Sequence, residues 1–133
     1  TLGSNTTKIF RALVEATAFG AKKIVEQFIN EGVPIKGVIG LGGVAKKSPF
    51  IIQVIADVLD MPIKIAHSEQ ACALGSAMAA SVVAKIHPDL PTAQKVMGNG
   101  FETEYCPSKE NAKKYKTLYE RYKKIGTFLE ENR

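Results

Sequence analysis

The sequence predicts an α/β fold, a short parallel βαβ core flanked by several helices. Three observations predict it. Ile35 to Leu41 is apolar apart from Lys36 and the glycines. Such a run suits a strand buried on both faces, as in a parallel sheet. A helix-length segment, Phe50 to Asp60, follows a glycine turn, and a second short apolar run, Ile63 to Ala66, then returns. A crossover of that length through a helix implies a parallel pair, almost always right-handed.

The elements follow in order. Thr6 or Thr7 is expected to cap a first helix. Ile9, Phe10, Leu13, Val14, Phe19, Ile24, Val25, Phe28 and Ile29 recur in it at helical spacing. It runs to about Asn30, where Glu31-Gly32-Val33-Pro34 stops it. Its small residues, Ala16, Ala18, Gly20 and Ala21, suit close packing on a neighbour. Glu15 lies among them, and a solvated or capping role fits it better than a ligand contact. After the first strand, Gly40-Leu41-Gly42-Gly43 is read as a turn, with Val44 to Ser48 as its polar continuation. Ser48 is the expected N-cap of the next helix and Pro49 its first residue, where a missing N–H costs nothing. Ile51, Ile52, Ile55, Val58 and Leu59 form its apolar face, and Asp60-Met61-Pro62 ends it. The second strand, Ile63 to Ala66, then leads to His67.

Ser68 is the expected cap of a third helix, with Glu69 in its first turn complementing the helix dipole. That helix fades near Lys85. Gly75 lies in its middle, where glycine costs about 1 kcal/mol against alanine. Close approach to a backbone or a ligand would offset that cost. His87 to Thr92 reads as a linker and cap, Thr92 to Met97 as a short helix, Gly98 to Gly100 as a turn, and Phe101 to Pro107 as extended. Ser108 caps a terminal helix to about Glu130. Tyr115, Leu118, Tyr119, Tyr122, Ile125, Phe128 and Leu129 are its expected buried stripe.

The length of 133 residues allows one domain with a core of its own. The 45% hydrophobic and 23% charged residues place the chain among globular proteins rather than disordered or fibrous ones. No apolar run reaches the roughly 20 residues that span a bilayer, so no membrane partner is expected. Thr1 to Asn5 offers neither an initiator Met nor a signal peptide, so the chain is expected to begin within a larger protein. The net charge of +5 owes much to Lys109, Lys113, Lys114, Lys116, Arg121, Lys123 and Lys124. A basic helix can meet nucleic acid. Here the apolar residues at core spacing favour a solvated face instead, so no nucleic-acid partner is expected. Cys72 and Cys106 lack ligand spacing and fit a reducing, cytoplasmic setting. Cys72 reads as a small hydrophobe on a helix. His67 and His87 have no ligand-spaced partners and suit surface or capping roles, and Tyr105 suits packing.

The glycine turn carries the chemistry. Gly40-Leu41-Gly42-Gly43-Val44-Ala45 formally matches the dinucleotide fingerprint G-x-G-x-x-A. In that fingerprint the helix starts at the glycines and an acid ends the second strand. Here the start signal is Ser48-Pro49, the second strand ends Ala66-His67, and only two strands are convincing. An NAD-binding domain of an oxidoreductase is therefore the alternative reading, not the leading one. No G-x-x-x-x-G-K-[ST] phosphate loop occurs. What remains is a Gly-Gly turn, Lys46-Lys47-Ser48 and a helix N-terminus. That combination offers backbone N–H groups, cations and a hydroxyl to a nucleotide, or forms a tight strand-to-helix turn with no ligand.

These residues resemble a known family. Gly42 to Pro49, then Gln53, Ala56-Asp57-Val58-Leu59, Pro62-Ile63, Glu69 and Ala73-Leu74-Gly75-Ser76-Ala77 resemble the adenosine motif of the FGGY carbohydrate kinases. Arg11 to Gly20 resembles the long helix before that motif. Ala84 to Pro91 and Tyr115 to Tyr122 resemble the L-ribulokinase branch more than the xylulokinase or glycerol kinase branches, which are kept as alternatives. The resemblance implies the C-terminal part of an actin-like ATPase (ribonuclease H-like) domain over 1–133, with 108–131 as a terminal helix packed on it. It implies ATP and Mg²⁺ as cofactors, with the metal held mainly by the phosphates and an N-terminal lobe. It implies Gly42 and Gly43 against the phosphates and ribose, Ser48 near adenine and ribose, Lys46 and Lys47 beside it, and Gly75 letting its helix approach the cleft. Glu69 would be structural. The catalytic aspartate and the phosphate-loop residues of the family match no position here, so no catalytic residue is assigned and the chain alone is expected to be inactive. The sugar would bind through the other lobe. Oligomeric state stays open, with a homodimeric parent among the options.

Overall fold

The computed structural model describes residue 3 and residues 5–132. Helix α1 spans Thr6–Asn30 and is capped by Asn5, not by either threonine. The Asn5 side chain is short enough to turn back and accept the Lys8 N–H at 2.9 Å. Gly32, with φ +83°, ends the helix in the left-handed region as expected.

Strand β1, Val38–Gly40, is shorter than the apolar run that announced it. It lies parallel to β2, Ile63–Ala66, with Val38 opposite Ile63 and Gly40 opposite Ile65. The expectation of burial on both faces fails, because Ile39 is 55% exposed. Only the face carrying Ile63 and Ile65 is covered by helices. A third strand, β3 at Phe101–Tyr105, pairs antiparallel with β2 and makes a three-stranded sheet in the order β1-β2-β3. The sequence showed that segment only as extended. Its Phe-Glu-Thr-Glu-Tyr alternation leaves all but Tyr105 exposed, so no apolar run marks it.

Helix α3, Pro49–Leu59, is the centre of the packing. One side meets α1 and the terminal helix α6, Lys109–Glu131. There Val14, Ala18 and Phe19 close on Val54, Val58, Tyr115 and Tyr119. Phe19 stacks its edge and face against Tyr115, Tyr119 and Tyr122 at centroid distances of 6.2, 5.7 and 5.4 Å. The other side of α3 presents Ile52, Ala56 and Leu59 to Ile63 and Ile65 of the sheet. Asp60, left-handed at φ 55°, ends α3 where expected.

Asp57, only 2% exposed, is the polar exception in this core. Its Oδ1 accepts from Gln53 Nε2 at 2.9 Å and from the Ser108 N–H at 2.8 Å. Its Oδ2 accepts from Asn111 Nδ2 at 2.9 Å. The carboxylate thus latches the first turn of α6 onto α3. Ser108 caps α6, as expected. The buried stripe of α6 stops early, however. Tyr115 and Tyr119 are buried, while Ile125, Phe128 and Leu129 are all more than 60% exposed, because α3 is too short to cover the last turns.

Two helices complete the chain. Helix α4 spans Ala71–Val83 and α5 spans Leu90–Met97. The start of α5 is two residues earlier than expected, since the Asp89 carboxylate accepts the Thr92 N–H at 2.8 Å and Pro91 fits its first turn. Among the described residues no helix is long and apolar enough to cross a membrane.

Candidate functional site

The glycine stretch sits at the C-terminal end of β1, and the structure corrects its reading as a turn. A short helix, α2 at Gly42–Lys47, starts directly at the glycines. Leu41 is its N-cap and has no side-chain oxygen to satisfy the first N–H groups. Gly42 has φ +80°, a conformation that a residue with a Cβ adopts only under strain. Gly40 is needed for a different reason: a Cβ there would stand 2.7 Å from Ile65 Cδ1 and 3.3 Å from Ala45 Cβ. α2 folds back over the end of the sheet and buries Ala45 in the second core.

Ser48 is a joint rather than a side-chain cap. Its N–H donates to the Val44 carbonyl at 3.1 Å and its own carbonyl accepts from Ile52 at 3.2 Å, but its hydroxyl makes no cap bond. The chain bends there because Pro49 cannot continue α2. Lys47 is exposed and has no ion pair among the described residues. Both lie at the far end of α2, about 9 Å along its axis from the glycines.

The β2–α4 connection differs from expectation as well. Ser68 is not a cap. Glu69 and Gln70 form a turn, α4 starts at Ala71, and Glu69 is exposed ahead of it. Gly75 lies mid-helix as expected, and a Cβ there would meet nothing within 4 Å. Among the described residues nothing makes the close approach that would explain this glycine. Instead Gly75 lines a cavity of about 480 Å³ between the ends of β1 and β2, α4 and the Gly98–Gly100 turn. Ile39, Leu41, Ala66, Leu74 and Phe101 line it as well, with Gln94 and Asn99 as polar groups. Leu41 joins this wall directly to Gly42 and Gly43. A second concavity, about 440 Å³, lies along the open face of the sheet toward the starts of β1 and β2, lined by Lys36, Pro62, Lys64 and Glu104 and sharing Ile39 and Phe101 with the first. In open α/β sheets ligands sit outside the carboxyl ends, which favours the first.

Of the sequence-predicted residues, the structure brings Gly42, Gly43 and Gly75 to one end of the sheet and leaves Lys47 and Ser48 at the other end of α2. Sequence reasoning missed Leu41, Asn99 and Phe101 in the cavity wall. It also missed Glu102 as the partner of Lys46 at 2.9 Å. Lone polar or apolar residues in a connection carry no periodic signal. Elsewhere, Glu15 accepts from Arg11 Nε at 2.8 Å and from the Tyr115 hydroxyl at 3.0 Å, so it fastens α1 to α6. Cys72 and Cys106 are free and exposed, which corrects the packing role expected of Cys72.

The dinucleotide alternative gains one feature and loses others. Its helix does start at the glycines. Yet β2 ends without an acid, and the third strand is antiparallel, where a dinucleotide fold continues in parallel.

Comparison with known proteins agrees. Residues 1–84 match the model of the FGGY family of carbohydrate kinases, C-terminal domain. A ribulokinase from Vibrio parahaemolyticus is 41% identical over 130 residues, covering 98% of this chain and 23% of that protein. A ribulokinase from Bacillus licheniformis is 43% identical over 133 residues, covering 97% and 24%. The chain thus spans about a quarter of the length of the relatives it matches. Among solved structures, a xylulose kinase from Rhodospirillum rubrum superposes with a TM-score of 0.83 at 21% identity, over 98% of this chain and 26% of that one. A glycerol kinase from Plasmodium falciparum, solved with ADP, gives 0.73 at 22% identity, over 94% and 25%. These superpositions give the fold, the C-terminal part of the actin-like ATPase architecture. With a family model matched over more than half its length, the chain belongs to the FGGY family of carbohydrate kinases and carries part of their C-terminal domain.

Proposed function

We propose that this chain supplies the nucleotide-binding side of an ATP-dependent sugar kinase whose parent reaction is ATP plus L-ribulose giving L-ribulose 5-phosphate and ADP. One observation carries the nucleotide side: Gly75 faces open space across the cavity that Leu41 joins to Gly42 and Gly43. A glycine that no described part of its chain requires is read here as making room for a ligand. The cavity volume lies in the range of small-molecule sites, about 300 to 1,000 Å³. The L-ribulose assignment is supported by identities of 41% and 43% to ribulokinases along nearly the whole chain.

In this reading the free N–H groups of Gly42 and Gly43 meet the phosphates and ribose, where they need no side chain. Gly75 lets α4 approach the nucleotide. Ser48 offers its uncapped hydroxyl toward adenine and ribose, and Lys47 its unpaired charge. Mg²⁺ in this reading arrives on the phosphates, where it neutralises charge during transfer. Sugar and catalytic base belong to the rest of the parent, in a cytoplasmic setting.

Amide shifts of the chain titrated with Mg·ATP and, separately, with NAD test this. Shifts at Gly42, Gly43, Ser48 and Gly75 with ATP alone are expected. Shifts with NAD alone would overturn the proposed role of these residues in holding ATP.

A further inference from the structure

The two lysines of α2 are treated differently by the fold. Lys47 is exposed, but the Lys46 side chain is only 18% exposed. Its Nζ lies 2.9 Å from Glu102 Oε2 and donates to the His67 carbonyl at 2.7 Å. Two of its three N–H donors are spent, and its charge is matched by the Glu102 carboxylate, whose side chain is 36% exposed. A lysine so engaged has little left to offer a phosphate.

The contacts join three segments around the cavity. Lys46 belongs to α2, which opens with Gly42 and Gly43. His67 begins the connection into α4, which carries Gly75. Glu102 lies in β3, one residue past Phe101 of the cavity wall. A further bond, from the His67 N–H to the Gly100 carbonyl at 3.1 Å, ties the connection to the turn before β3. The His67 ring lies beside the same carboxylate, with Nδ1 3.6 Å from Glu102 Oε2.

We propose that Lys46 is a positioning residue that, paired with Glu102, sets the separation of α2 from α4 and hence the width of the nucleotide cleft. It does so without touching the phosphates. The cleft's occupant rests on the nucleotide reading above; the clamp itself rests on the geometry alone.

The test compares Lys46→Met, Glu102→Gln, the double variant and Lys46→Arg by amide hydrogen exchange and by Mg·ATP titration of the whole chain. Either single change is expected to speed exchange at Ser48, His67 and Leu74 about two- to fivefold, as loss of an ion pair with this exposure allows, with the slow amides of α3 unmoved. Both singles should weaken Mg·ATP by similar factors. The double variant should be no worse than either single, because they remove one shared interaction. Lys46→Arg should restore both readouts. Loss of ATP affinity in Lys46→Met with none in Glu102→Gln would overturn the proposal and make Lys46 a phosphate ligand. Unchanged exchange in every variant would also overturn it. If the unaltered chain binds no Mg·ATP, the nucleotide reading fails for this chain, and exchange still decides the clamp.

Discussion

Gly75 shows how a single residue separates stability from function. In the middle of α4 it gives up helix propensity, and nothing in the packing of the described residues needs the space. Gly75→Ala should therefore stabilise the chain, by up to about 1 kcal/mol on the helix scale. A urea midpoint that rises would show it. The same methyl narrows the proposed cleft, so Mg·ATP should bind more weakly. A variant both stabler and tighter-binding would remove the reason given for this glycine. Gly42 contrasts with it, because its φ of +80° makes any side chain costly whether or not a ligand is present. Both glycines were legible in the sequence as special positions. Which of them serves the backbone and which serves open space was not, since that depends on a dihedral angle and on a neighbour's absence.

At the scale of elements, α1 and α6 meet through tyrosines whose hydroxyls are bonded to carboxylates. The Tyr119 hydroxyl donates to Glu26 Oε2 at 2.8 Å, and the Tyr115 hydroxyl to Glu15. Burial raises both phenol pKa values above the ordinary 10.0, and for Tyr119 the bond to Glu26 raises it further. A group whose folded-state pKa is raised stabilises fully below its unfolded value and loses that contribution as pH climbs through the shifted range. The chain should thus be as stable at pH 9 as at pH 8, roughly, and lose stability progressively above about pH 10. Tyr119→Phe should flatten that alkaline fall, as thermal melts across the range would register. The sequence placed Tyr115 and Tyr119 in the α6 stripe correctly, because helical spacing reports a face. It extended the stripe too far, to Leu129, because spacing says nothing of where the opposing helix ends. The same limit hid β3. Its alternation of Phe, Thr and Tyr with Glu marks a strand, but only its pairing with β2 makes it one. β2 itself was read with its observed bounds, since Ile63 and Ile65 alternate with Lys64 between a proline and a histidine.

For the molecule as a whole, the open side of the sheet matters most. Ile39, Leu41 and Phe101 are each more than half exposed, and they flank the proposed cleft. The chain spans about a quarter of the length of its relatives, and on the proposed reading it presents one wall of the site. Phosphoryl transfer depends on holding donor and acceptor in line, with charge stabilised on both sides. One wall can bind without accomplishing this. The chain is therefore expected to show no ADP release with Mg·ATP and L-ribulose in a coupled assay. Measurable turnover would mean that an acceptor base lies within these residues. The fold class and the family were legible from Gly42 to Ala77, where local chemistry and pattern coincide. The cavity was not, because its wall is drawn from β1, α4, α5 and β3 together.

The Asp57 latch has a consequence in time as well as in structure. Its acceptors reach Ser108 and Asn111 across 51 and 54 positions of chain. Closing so long a loop costs entropy before any contact returns it. Until α3 is formed and its buried end is dry, the carboxylate prefers water to those donors. The α6 segment is then expected to settle late in folding and to leave early in unfolding. On that expectation Asp57→Asn speeds unfolding more than it slows refolding, which stopped-flow rates would check.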